Sequence, residues 1–185
     1  MCNALGAGEE RAYRVANVGA TMDDIAREAI SITDVAEIRT ILNAVCDLTG
    51  MGFAAVARVT DTRWIACQVL DKIDFGLEPG AELELKTTIC NEIRDGGNPI
   101  VIDHVAADPA WRTHHTPVLY GFESYISLPI ELVDGSFFGT LCAIDPQPRN
   151  LSAGDMVATM RDFAARIAAI LSAQARLPIT AAPGS

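Results

Sequence analysis

The chain has 185 residues, half of them apolar, and its 14 basic and 24 acidic side chains leave a net charge of −10. This suits one folded domain with a sizeable core, not a disordered chain. The acidity, unrelieved by any Lys/Arg cluster, argues against contact with nucleic acid or anionic membrane, and no apolar run approaches the roughly 18 residues needed to cross a bilayer.

Residues 1–20 are rich in Gly and Ala without a sustained period and read as a flexible leader. They lack the basic start and apolar stretch of a secretory signal, so a cytoplasmic location is expected. Thr21 and Asp24 have capping-box spacing for a short helix through Ile30. Thr33 opens a second helix, with Val35, Ile38, Leu42 and Val45 on one stripe, Ile41 and Leu48 beside it, and Gly50 as its stop. Strands are expected over Phe53–Val59 and Trp64–Leu70 around the turn Thr60–Arg63. A brief strand Leu83–Leu85, a helix Thr88–Asp95 ended by Gly96-Gly97 and a short strand Ile100–Asp103 follow. Residues 108–120 read as loop with at most a turn of helix. A second hairpin, Glu123–Leu132 with Phe137–Ile144, turns at Asp134-Gly135. Ser152, with Asp155 at the reciprocal position, caps a last helix whose stripe is Met156, Met160, Phe163, Ile167 and Ile170 or Leu171. Pro178 and Pro183 bar its continuation, so the domain spans 21–177 between a leader and a disordered tail at 178–185. Helices at both ends and strand pairs between them make an α+β layout.

The segment from Gly139 to Ser152, Gly-Thr-Leu-Cys-Ala-Ile-Asp-Pro-Gln-Pro-Arg-Asn-Leu-Ser, resembles the closing strand and exit turn of the GAF domains of bacterial signalling proteins. The segments Thr87–Ile93, Pro99–Asp103, Asp108–Trp111 and Ser124–Ile130 fall in the order and spacing of the same family, so the resemblance runs from about Thr33 to about Ala173. It implies a central antiparallel sheet, with terminal helices on one face and a ligand pocket roofed by the insertion 86–120 on the other. It also implies a non-catalytic regulatory domain of the kind found in sensor histidine kinases and diguanylate cyclases. Such a domain senses a small molecule and relays its presence through the terminal helices to a signalling partner or to an output domain beyond this segment. A homodimer through those helices is expected on the same ground, and the wide apolar spread of the last helix agrees with it. A plain dimerisation module with a filled pocket is the alternative.

Strand alternation nominates pocket residues. Glu123, Tyr125 and Ser127 should face the pocket, and Ser124, Ile126, Leu128 and Ile130 the helices. In the closing strand Phe138, Thr140, Cys142 and Ile144 should face the helices, with Phe137, Leu141 and Ala143 toward the pocket, which makes Cys142 a packed core thiol. Candidate ligand contacts are therefore Tyr125 and Ser127, with Trp111, His114, His115 and Tyr120 from the roof. His104, His114 and His115 lack zinc-site spacing and read as loop residues bonding nearby carbonyls, so no metal is expected. Haem stays open on the histidines alone. Asp103 and Asp108 read as turn and capping residues.

Further features of specialised GAF domains are missing. The cyclic-nucleotide signature Asn-Lys-x-x-x-Phe-x-x-x-Asp-Glu is absent, and Arg112-Thr-His-His-Thr116 has no cysteine where many bilin-binding members carry one. Five cysteines, Cys2, Cys46, Cys67, Cys90 and Cys142, include no Cys-x-x-Cys pair and read as free thiols. The enzyme alternative is free methionine-R-sulfoxide reductase, which needs an attacking and a resolving cysteine. Cys90 lies near one cysteine position of that family and, close to a helix start, can have a lowered pKa. Tyr120-Gly-Phe-Glu-Ser124 lacks the other cysteine. No reductase activity is expected unless Cys67 or Cys142 lies within disulfide reach of Cys90.

Overall fold

The computed structural model describes residues 14–15 and 24–175. Its elements are β1 (Arg14–Val15), α1 (Asp24–Ser31), α2 (Ala36–Thr49), β2 (Phe53–Val59), β3 (Trp64–Asp71), β4 (Ala81–Leu83), α3 (Cys90–Gly96), β5 (Ile100–Ile102), α4 (His115–Tyr120), β6 (Ser124–Glu131), β7 (Phe137–Asp145) and α5 (Met156–Gln174), with single 3-10 turns at Leu85–Thr87 and Val105–Ala107. The strands form one sheet in the order β1-β4-β3-β2-β7-β6-β5, every neighbour antiparallel. The hairpins β2–β3 and β6–β7 meet at its centre through the β2–β7 pairing. Arg14 and Val15, inside the expected leader, pair with Glu82 and Ala81 as an edge strand. Thr21, Pro178 and Pro183 lie outside the described residues.

Each face of the sheet carries its own core. On one, α1, α2 and α5 bury Ile38, Leu42, Val45, Met160 and Ile167 against Val56, Ile65, Ile126, Leu128 and Leu141. On the other, residues of the 73–122 segment, Phe75, Leu85, Ile89, Cys90 and Phe122 among them, cover Phe53, Ala55, Ala57, Trp64, Tyr125, Cys142 and Ile144. The small side chains of Ala55, Ala57 and Ala66 let α3 settle close to the sheet.

Helix α2 buries Ile38, Ile41, Leu42, Val45 and Cys46, a stripe at helical spacing, and stops where Gly50 takes φ 69° and donates its N–H to Cys46 O. Two expected caps are not formed. Thr33 donates its hydroxyl to Cys67 O (3.1 Å), and the Gln68 side-chain amide donates to Thr33 O (2.8 Å). The helix opens at Ala36 with no side-chain cap. Ser152 and Leu151 donate their N–H groups to Asp103 Oδ1, and α5 starts at Met156 without a capping bond from Asp155. In both places a competing acceptor from elsewhere in the fold takes the polar group that local sequence would assign to the helix.

The parity expected for β6 is the one observed, but that for the end of β7 is inverted. Leu141 and Ala143 pack under the helices, whereas Cys142 and Ile144 belong to the pocket-side core and Thr140 reaches Cys90 there. The cause is a β-bulge: Ile130 pairs with Gly139 and Glu131 with Phe137, so Phe138 is one residue too many and alternation restarts after it. Arg58 satisfies the Phe138 carbonyl with its guanidinium, which also lies 4.9 Å from that ring. Gly139 is obligatory at the bulge, because a Cβ there would stand 1.9 Å from Ala57 O.

Candidate functional site

Between the pocket face of the sheet and the insertion lies a cavity of about 50 Å³. Its floor is Phe53, Trp64, Tyr125, Cys142 and Ile144, and its walls and roof include Phe75, Leu77, Ile89, Cys90, Thr116, Tyr120 and Phe122. No charged side chain lines it. The space holds roughly three waters, against several hundred Å³ in a drug-sized site.

Local structure explains why these side chains converge. Asp71 ends β3 and its carboxylate accepts the N–H groups of Ile73, Phe75 and Gly76 at 3.1, 3.1 and 2.8 Å. This folds the loop back and packs the Phe75 ring 4.9 Å from that of Phe53, tilted by 56°. Tyr120 continues the wall beside it, its ring 6.2 Å from that of Phe75 and its hydroxyl 2.7 Å from Thr87 Oγ1. His114 caps helix α4: its Nδ1 accepts the Thr116 N–H (3.3 Å), so a neutral ring carries its proton on Nε2, 3.2 Å from Glu92 Oε1. His115 Nε2 stands 2.9 Å from Lys86 O. The two histidines and Tyr120 thus tie α4 to α3 and to the 3-10 turn.

Of the six residues nominated from sequence, Tyr120 and Tyr125 line the cavity. Ser127 is wholly buried, its Oγ without a hydrogen-bond partner although it lies near the Tyr125 hydroxyl. Trp111 packs on the pocket-side core, its ring 5.0 Å from that of His114. Neither histidine lines the cavity, for both are spent on holding the roof together. His104 sits apart, 3.7 Å from Glu123. The cavity therefore lacks the volume for a haem or a bilin, and no histidine lines it that could serve a haem as axial ligand. Among the described residues no three His, Cys, Asp or Glu side chains gather as a metal site.

The pairing that sequence made the condition for reductase chemistry is the most distinctive group here: Cys142 lines the same cavity as Cys90, whereas Cys67 lies in the helix-side core. Cys142 was expected among the packed residues beneath the helices, and the bulge turns it to the cavity instead. Thr140 Oγ1 donates to Cys90 Sγ (3.2 Å), the Tyr125 hydroxyl stands 3.6 Å away, and the Cys142 thiol faces the same sulfur. The Trp64 N–H also lies toward Cys90 without reaching hydrogen-bond geometry. The single Cys142 proton can go to Ala55 O, 3.7 Å away, or to Cys90. A thiolate is the stronger acceptor. Donation from Cys142, then from Thr140 and Tyr125, lowers the Cys90 pKa against the opposing effect of burial. Cys142 is raised correspondingly, because it keeps the shared proton in a buried site. Burial raises Tyr125 as well, so its phenol stays a donor.

The GAF domain family model matches residues 35–171, and the chain belongs to the GAF family. No curated protein matches it in sequence. Solved structures of similar fold include the blue-light absorbing form of the Thermosynechococcus elongatus PixJ GAF domain, 12% identical with a TM-score of 0.60, covering 84% of this chain and 92% of that one. The second GAF domain of DevS from Mycobacterium smegmatis is 18% identical with a TM-score of 0.54, covering 77% and 96%. A type II free methionine-R-sulfoxide reductase from Thermoplasma acidophilum is 11% identical with a TM-score of 0.57, covering 82% and 96%. At such identities the likeness is one of fold.

Proposed function

We propose that this GAF domain is a non-catalytic regulatory module that senses a small, uncharged molecule in the cavity between sheet and insertion. The observation that carries this reading is the almost wholly apolar cavity, whose lining residues Trp64 and Thr116 hold Nε1 and Oγ1 buried in its wall without a hydrogen-bond partner. Unpaired buried donors cost about 1–3 kcal/mol each, and a ligand with an acceptor atom recovers that energy. Among the described residues no acidic, basic or histidine side chain lines the cavity, which disfavours ionic ligands. The absence of any charged group to hold an ammonium and a carboxylate also argues against free methionine sulfoxide as a substrate, and hence against reductase activity. Ligand binding that favours one position of the insertion shifts the sheet, and through it α2 and α5 on the far face, toward a partner or output domain. Free buried thiols fit a reducing, cytoplasmic compartment. Among the described residues no helix is long and apolar enough to cross a membrane.

Native mass spectrometry and an absorbance scan of protein purified from its own host test the proposal. A retained neutral molecule, lost or weakened at least about tenfold in Trp64→Phe, is the expected result. The cavity volume favours the second reading, a dimerisation module whose pocket its own side chains fill. A protein that retains nothing, and whose Trp fluorescence is unmoved by millimolar small carbonyl and azine compounds, establishes that module instead.

A further inference from the structure

The cavity holds chemistry that ligand sensing does not use. We infer that Cys90 is a site of oxidation by hydrogen peroxide or a small hydroperoxide, and that Cys142 resolves the product as a disulfide. Cys90 opens α3 and Cys142 stands in the middle of β7, so only the fold brings them together. Both line the same small uncharged cavity. Hydrogen peroxide is neutral and has two heavy atoms, so it fits where a bulky thiol or disulfide does not. The hydroxyls of Thr140 and Tyr125 point at the Cys90 sulfur from the sheet, an arrangement that stabilises a thiolate in surroundings otherwise hostile to charge. Cys46 and Cys67 make an internal contrast. They lie in the helix-side core, away from this cavity, and burial raises both thiols.

The chemistry balances with peroxide as the two-electron oxidant. The Cys90 thiolate attacks one peroxide oxygen, the O–O bond breaks, and the leaving alkoxide or hydroxide takes up a proton, which leaves Cys90 as a sulfenic acid. The Cys142 sulfur then attacks the Cys90 sulfur. The S–O bond breaks, hydroxide departs as water with the Cys142 proton, and a disulfide remains. Two thiols and one hydroperoxide thereby give a disulfide, an alcohol or water, and one further water. The new bond ties α3, a roof element, to β7 at the centre of the sheet. This thiol chemistry does not require the small-molecule binding proposed above, although both would use the same cavity.

The experiment treats the reduced full chain with equimolar hydrogen peroxide at neutral pH, alkylates the remaining thiols and maps the peptides. The expected result is an intact mass lower by about 2 Da, a single Cys90–Cys142 cross-link, and loss of the Cys90 thiol at least about tenfold faster than that of Cys46 or Cys67. Cys142→Ser should let dimedone trap a sulfenic acid at Cys90, and Thr140→Val should slow the first step several-fold. The fold of each variant is checked by circular dichroism. If Cys142→Ser does not fold, the cross-link map and rates of the parent decide alone. Oxidation of Cys46 or Cys67 ahead of Cys90, or oxidation of Cys90 in the parent without the cross-link, overturns the inference.

Discussion

Asp145 ends the central strand with a buried carboxylate that is fully used. It accepts N–H groups from Gly52 (2.8 Å) and Gln147 (2.9 Å) and pairs with Arg149 (2.9 Å). Removing it strands these donors at the junction of α2, β2 and the exit turn. Asp145→Ala should cost about 3 kcal/mol in urea unfolding, and a loss below about 1 kcal/mol would show that water replaces the carboxylate. Cys67 gives a pH signature. Burial pushes its thiol up to about 12 from the ordinary 9.0, so as pH rises above 9 the unfolded chain loses this proton while the folded chain keeps it. The Cys67 contribution should therefore be flat below pH 9 and fall by about 1.4 kcal/mol per pH unit above it, with Cys46 and Cys142 adding in the same direction, whereas the lowered Cys90 thiol makes stability rise with pH below 9. Cys67→Ala should reduce that alkaline slope, and a slope equal to the parent's would contradict the assignment.

Among the elements, the bulge in β7 has the largest consequence. One extra residue at Phe138 decides that Thr140 and Cys142, not Leu141, meet the insertion. Gly139→Ala should cost more than about 3 kcal/mol, because its Cβ would strike the backbone of β2 and neither strand can retreat from the sheet centre. Gly96→Ala, where a Cβ meets nothing within 4 Å, is the near-neutral control. Comparable melting temperatures for the two variants would show that the bulge relaxes.

For the molecule as a whole, the helices on the outer face differ in how much apolar surface they leave uncovered. The protomer itself buries the α2 stripe, leaving Leu48 as its single exposed large apolar residue, whereas Met156, Val157, Phe163 and Ile170 of α5 stay half-buried beside exposed Ala165 and Ala169. A two-fold homodimer should therefore form through α5. Light scattering at micromolar concentration should give twice the chain mass for the parent and a single chain mass for Phe163→Glu. A parent that stays monomeric as its concentration rises would exclude the dimer.

Much of this architecture was legible in the chain because it is written in local periodicity. The stripe Ile38-Leu42-Val45, the stop at Gly50, the Asp134-Gly135 turn and the alternation through Tyr125 and Ser127 each depend on neighbours a few residues away. The motifs from Thr87 to Ser152 were equally readable, and with them the family. What local pattern could not supply was any outcome decided between distant segments. Thr33 and Ser152 gave up their caps to Cys67 and Asp103, and His114 and His115, suited by type to a ligand, were consumed by Glu92 and Lys86. The bulge at Phe138 is a matter of register between β6 and β7, invisible along one strand. It placed Cys142 beside Cys90, 52 positions earlier in the chain. Tertiary packing alone made that pair, because the sulfur atoms meet only when the insertion closes onto the completed sheet.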